Sequence, residues 1–106
     1  LGGVLRKAKE GRSAGPMTTR GLEQHKATIQ QWEDLCAELG EHPADVALAW
    51  LLHQPGVTAP IIGPRTVAQL DGSLRALEIQ LGGDFLARLD ELFPGPGGPA
   101  PEAYAW

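Results

Sequence analysis

The chain has 106 residues, a net charge of −4 and a hydrophobic content of 42%, which fit one small domain and exclude two. This balance gives no indication of nucleic-acid binding, and no stretch approaches the roughly 20 apolar residues of a membrane span. The single cysteine, Cys36, excludes an internal disulfide framework. It is consistent with a reducing compartment, and we expect a cytoplasmic protein.

Residues 1–20 hold five basic residues against one acidic residue, together with glycine, serine and proline. This composition predicts a solvated, partly disordered loop, and contact with an anionic ligand is the alternative. The chain lacks an initiator methionine, so we expect it to be part of a longer protein.

Residues 22–39 form the clearest predicted helix, because apolar residues recur at spacings of three and four and Gly40 follows as its C-terminal cap. Cys36 lies on the apolar stripe. It is interpreted as a buried structural residue rather than a nucleophile, since no histidine is placed nearby to activate it. The stripe consists of Ile29, Trp32, Leu35, Cys36 and Leu39.

A second helix is predicted to begin at Pro43, a residue favoured at the first helical position, with Asp45 complementing the helix dipole. Residues 46–52 are apolar on nearly every side, which is typical of a helix that is buried all round.

Residues 57–62 predict a short strand buried on both faces, because they are apolar and contain no alternating polar residue. Gly63 and Pro64 end it, and a helix over 67–77 follows. Thr66 is its expected N-cap and Gln69 completes a capping box. Together with Arg65, this helix N-terminus could bind an anion. The alternative is an ordinary capped turn that binds nothing.

The last part of the chain predicts an extended segment at 78–81 and a short helix over 85–92 capped by Asp84. Residues 94–101 are rich in proline and glycine. The tail ends on Tyr104 and Trp106, and it is either loose or docked in a groove through these aromatic rings. No histidine has a histidine or cysteine at metal-ligand spacing, so no metal site is expected.

One strand that is apolar on both faces needs hydrogen-bonding neighbours on both edges and helices on both sides. The sequence does not encode these neighbours. The order helix, helix, buried strand, capped helix is typical of the closing units of a parallel α/β protein. We therefore expect a fragment of a larger α/β protein.

Residues 43–70, PADVALAWLLHQPGVTAPIIGPRTVAQL, closely resemble the C-terminal end of aldo-keto reductases, in the bacterial branch that is similar to potassium-channel β subunits. The resemblance runs over nearly the whole chain. It implies the C-terminal part of a (β/α)8 TIM barrel, mostly helical, with 57–62 as the eighth strand and 67–77 as the eighth helix. Residues 1–20 would be the loop after strand seven, and 21–106 the C-terminal helices, strand eight and the tail.

The resemblance also implies NADP (NADPH) as cofactor, bound once the rest of the barrel is present. Its adenosine end would contact Gly63, Arg65, Thr66, Gln69 and Ser73, and Arg65 would pair with the 2′-phosphate.

Two positions depart from the family pattern. The family commonly has an acidic residue and then asparagine at the positions where this chain has Gly72 and Ser73.

Leu1 and Gly2 are candidate contacts of the cofactor pyrophosphate.

The family's catalytic Asp, Tyr, Lys and His motifs do not occur in this sequence, so no catalytic residue is assigned here. The resemblance therefore implies the cofactor-clamping portion of a reductase that converts aldehydes and ketones to alcohols, inactive by itself. Its expected partners are the N-terminal part of the barrel and a small carbonyl substrate. The alternative is a non-enzymatic helical module that associates with a second copy of itself.

Overall fold

A computed structural model describes residues 16–95, with side chains from residue 20 onward. These residues form five helices: α1 (Pro16–Gln24), α2 (Lys26–Leu39), α3 (Pro43–Leu52), α4 (Val67–Arg75) and α5 (Gly83–Leu92). Helix α2 lies at the centre and packs against α1, α3 and α5, while α4 packs against α3. Within 16–95, no helix has the length and apolar character required to cross a membrane.

The predicted helix over 22–39 is present, but it is divided at His25 into α1 and α2. Helix α1 begins at Pro16, so the expectation of a loop up to residue 20 is wrong for 16–20. Proline suits this first position because the first helical N–H has no partner within the helix. Residues 1–15 lie outside the described part of the chain, as do the candidate contacts Leu1 and Gly2.

The turn between α2 and α3 follows the sequence prediction closely. Gly40 ends α2 with a positive φ of 77°, and its N–H donates to the carbonyl of Ala37. Pro43 occupies the start of α3, as predicted. His42 is the N-cap, and its ring Nδ1 accepts the N–H of Ala44 at 3.3 Å.

The core lies where α2, α3 and α5 meet the irregular segment after α4. Cys36 is fully buried there, as predicted, and burial together with the nearby Glu33 raises the pKa of its thiol to about 12. The ring of Trp32 also meets Phe93 edge to face, with centroids 6.1 Å apart. The buried apolar residues are Trp32, Leu35, Cys36, Val46, Ala49, Ala76, Ile79, Leu81 and Leu89.

The prediction of a buried strand over 57–62 is wrong for this structure. No strand forms among residues 16–95, and 57–62 run as irregular chain. Ile61 is completely exposed, at 101% of its reference area, and Ile62 is 41% exposed. The physical reason is the absence, within the described part of the chain, of any neighbouring strand to accept its backbone hydrogen bonds.

The segment between α4 and α5 shows the alternation that the sequence predicts, with Ile79 and Leu81 buried. The prediction that Asp84 caps the last helix is wrong. Gly82 is the N-cap of α5, and Asp84 lies in its first turn, where a carboxylate still complements the dipole. Residues 96–106 lie outside the described part, so the docking of Tyr104 and Trp106 stays a prediction.

Candidate functional site

An open cleft of about 670 Å³ lies between the beginnings of α3 and α4. One wall comes from the N-terminal end of α3, with Ala44 and Asp45, and the other from α4. The irregular residues 61–64 border it. A volume of this size is within the range of small-molecule sites in proteins.

Four of the five predicted cofactor residues line this cleft, namely Gly63, Thr66, Gln69 and Ser73. The fifth, Arg65, is exposed and is not part of the lining. The structure therefore brings most of the predicted site together in one concave surface and places the guanidinium-bearing residue beside it.

The N-terminus of α4 is capped as the sequence predicts. The hydroxyl oxygen of Thr66 accepts the N–H of Gln69 at 3.2 Å. The side chain of Gln69 reaches back one residue further than a standard capping box, since its Oε1 accepts the N–H of Arg65 at 2.7 Å. These two bonds fix the entry of the chain into α4 and hold Arg65 beside the cleft.

The next turn of α4 is shaped by close contact with α3. The hydroxyl of Ser73 donates to the carbonyl of Gln69 at 2.9 Å, so its oxygen keeps a lone pair for an incoming donor. Gly72 faces the carboxylate of Asp45, and a Cβ at Gly72 would lie 2.7 Å from Asp45 Oδ1. Only glycine permits this approach without displacement of the Asp45 side chain.

The far end of α4 is tied to the turn before α3 by an arginine fork. Arg75 donates to both carboxylate oxygens of Glu41, from Nη2 at 2.5 Å and from Nε at 3.3 Å, and Nη1 donates to Glu78 at 2.7 Å. Hydrogen bonding to Arg75 holds the pKa of the Glu41 carboxyl below its usual value. The pair links the C-terminal end of α4 to the turn that precedes α3.

Residues 16–95 contain no group of three His, Cys, Asp or Glu side chains able to hold a metal ion. Arg88 on α5 pairs with Glu38 on α2 at 2.8 Å, outside the lining of the cleft, and this lowers the pKa of the Glu38 carboxyl.

The sequence did not indicate the α3 wall of the cleft. Asp45 was assigned only a role in complementing the helix dipole, and His42 and Ala44 had none. No local pattern could have identified them, because their place in the cleft depends on how α3 packs against α4.

Comparison with known proteins decides the family. Residues 1–93 match the model of the aldo/keto reductase family. The chain belongs to the aldo/keto reductase family. It is 50% identical, over its whole length, to the uncharacterized oxidoreductase YrpG of Bacillus subtilis, and the match covers 32% of that protein. Two more distant relatives are the protein tas of Escherichia coli (30% identical, 74% of this chain, 23% of the relative) and norsolorinic acid reductase stcV of Emericella nidulans (29% identical, 78% of this chain, 20% of the relative).

This aldo/keto reductase chain thus spans about a third or less of the length of the curated relatives that it matches. The resemblance seen in the sequence is confirmed at the level of the family, and the oxidoreductase relatives support a portion of a reductase.

Proposed function

We propose that this chain is the C-terminal, cofactor-clamping portion of an NADP-dependent aldo/keto reductase barrel that reduces aldehydes and ketones to alcohols. The observation that carries the proposal is the exposure of residues 57–62. Ile61 and Ile62 have the composition of a strand buried on two faces, yet they are exposed in this structure. In a barrel, surrounding helices would bury the apolar side chains of this segment, and neighbouring strands would form hydrogen bonds with its backbone.

Helix α4 supports the same proposal. Val67, Leu70 and Leu74 are 75%, 40% and 54% exposed, and they follow one another at spacings of three and four. Such a stripe is the inward face of an amphipathic helix. In the complete barrel this face would cover the sheet that residues 57–62 join.

The cleft residues fit the adenosine end of NADP in chemistry and in size. The guanidinium of Arg65 is suited to the 2′-phosphate through paired charge-assisted hydrogen bonds, at the border of the cleft. Gly63 allows the backbone to approach the ligand closely, and Gln69 and Ser73 offer polar groups to the ribose and base. When bound, NADPH supplies the hydride that reduces the carbonyl group.

The chemistry itself is proposed to come from other parts of the barrel. A carbonyl reduction needs a proton donor beside the hydride donor, and the sequence motifs that would supply it are not in this chain. Alone, the chain should therefore show no reductase activity.

The exposed apolar residues also favour a second candidate function. Ile61, Leu70 and Leu74 could be buried against a second copy of the chain, giving a helical interaction module without activity. Sedimentation of the purified chain separates the two. A stable symmetric dimer that binds no nucleotide supports the second candidate.

The proposed function is tested with a chimera, defined as the Bacillus subtilis relative in which this chain replaces the segment that it matches. We expect the chimera to bind NADPH, measured by the enhanced fluorescence of the dihydronicotinamide. The Arg65→Ala variant should lose about tenfold in affinity for NADPH, the equivalent of about 1.4 kcal/mol, and little for NADH, which has no 2′-phosphate.

Arg88→Ala is the matched control, because Arg88 is an exposed arginine paired with Glu38 away from the cleft. It should leave both affinities unchanged. A folded chimera that fails to bind NADPH would refute the proposed function, and an equal loss for both nucleotides in Arg65→Ala would refute the role of Arg65.

A further inference from the structure

The starting observation is the position of one carboxylate. Asp45 belongs to the first turn of α3, and its side chain extends across to α4, where Oδ1 and Oδ2 lie 2.7 Å and 3.2 Å from the position that a Cβ on Gly72 would occupy. The residue is half-buried and lines the cleft. Because Gly72 has no side chain, the carboxylate of Asp45 on α3 can lie against this point of α4.

The carboxylate is available to a ligand. No hydrogen bond or ion pair within the described range uses the Asp45 side chain, whereas the side chains of Ser73 and Gln69 beside it each form one hydrogen bond. The Ser73 hydroxyl donates to the carbonyl of Gln69, and the side-chain oxygen of Gln69 accepts the backbone N–H of Arg65. Among these groups, Asp45 is the strong acceptor that remains, and a carboxylate can only accept.

The register of α4 places this acceptor away from the phosphate end. Gly72 follows Thr66 by six residues, which corresponds to about 9 Å along the helix. If the phosphate lies beside Arg65, at the border of the cleft, a nucleoside directed along α4 brings its base to Gly72 and Ser73. The atoms of a base that a carboxylate can recognise are its N–H donors.

We infer that Asp45 accepts a hydrogen bond from the exocyclic amine of the adenine base, and that it makes the cleft selective for adenine over a base carrying a carbonyl oxygen at the same position. This inference rests on the proposed function, since it concerns the same cofactor. The carboxylate binds an amine through a charge-assisted hydrogen bond and repels a carbonyl oxygen. The discrimination comes from α3, whereas the residues that the sequence assigned to the adenosine end of the cofactor lie on or just before α4.

The test compares NADPH with the reduced hypoxanthine analogue of NADP, which differs in having a carbonyl oxygen in place of the exocyclic amine. Affinities of the chimera for both are measured by dihydronicotinamide fluorescence. The unmodified chimera should bind NADPH about tenfold more tightly, the factor that follows from one charge-assisted hydrogen bond. Asp45→Ala should bring the two affinities within about twofold of each other.

Two further variants separate recognition from a structural role. Asp71→Ala removes an exposed carboxylate of α4 that does not line the cleft, and the preference for adenine should persist. In the double variant Asp45→Ala, Gly72→Glu, the space vacated by Asp45 accepts a carboxylate from α4, and the preference should return. A role of Asp45 limited to the dipole of α3 would not be restored by a glutamate on another helix.

The possible outcomes separate the inference about Asp45 from the proposed function on which it rests. If Asp45→Ala keeps the preference for adenine, or if the unmodified chimera binds both nucleotides equally, the inference about Asp45 is overturned while cofactor binding stands. If the folded chimera binds neither nucleotide, the proposed function is overturned, and the role of Asp45 falls with it. Loss of the preference in Asp45→Ala and its return in the double variant support the inference.

Discussion

Substitution of Ile61 by alanine should leave the stability of the isolated chain nearly unchanged and should lower the stability of the chimera. In this structure the side chain is 101% exposed, so its removal takes nothing out of the core. An exposed substitution of this kind changes the free energy of unfolding by no more than about 0.5 kcal/mol. In a complete barrel the same side chain would be buried between the sheet and the helices, where Ile→Ala costs roughly 2–5 kcal/mol.

Val46→Ala provides the matched control. Val46 is fully buried in α3, and its surroundings come from residues within the described part of the chain. Loss of its two methyl groups should cost about 2 kcal/mol in the isolated chain and in the chimera alike. The ratio of the losses in free energy of unfolding caused by Ile61→Ala and Val46→Ala, rather than either loss alone, therefore reports where Ile61 is buried.

The assay is urea unfolding followed by circular dichroism, with the free energy of unfolding taken from the linear dependence on urea concentration. Two results would refute the reasoning. A loss above about 1 kcal/mol for Ile61→Ala in the isolated chain would mean that the side chain is buried there, and a loss below that value in the chimera would mean that no barrel surrounds it.

Three further predictions concern the isolated chain. Thr66→Ala should lower the free energy of unfolding by about 1 kcal/mol, because it removes the cap of α4, whereas Thr66→Ser should be nearly neutral in the same urea titration. His53→Phe should cost roughly 1–3 kcal/mol, because the ring Nε2 accepts the N–H of the buried Leu81 at 3.3 Å and the variant leaves that donor unpaired; an unchanged unfolding midpoint would contradict this. Cys36, with its raised pKa, should resist a thiol reagent until urea unfolds the chain. The unfolded chain loses the Cys36 proton first, so stability should decline as the pH rises from about 9 towards 12, and Cys36→Ala should remove that part of the pH dependence.

The helices were predictable because their signals are local. Gly40 and Thr66 form hydrogen bonds with backbone groups three residues away, at a helix end and a helix start. Pro43 lacks the N–H that would have no partner in the first turn. The structure confirms all three. The error at Asp84 has the same origin, since Gly82 can adopt the extended N-cap backbone two residues earlier, and the carboxylate is favourable at either position.

The strand was not predictable in the same way. The composition of residues 57–62 predicts burial on two faces, but a strand exists only when another strand supplies its hydrogen bonds. The described residues supply none, and Ile61 stays exposed. The residues of the candidate site differ in the same way. Thr66 and Gln69 are positioned by their own helix, so local signals predict them, whereas Asp45 enters the cleft only through the packing of α3 on α4.

The sequence by itself established the family through its similarity to known members. It also determined the ends of most helices and the burial of Cys36, because these depend on local hydrogen bonding and on an apolar stripe of regular period. The tertiary structure alone decided that the Asp45 carboxylate lies against Gly72 and that Arg65 stands beside the cleft rather than in its lining. These facts depend on the distance and angle between two helices. Those quantities are set by side-chain packing over the whole interface, and no short stretch of sequence contains them.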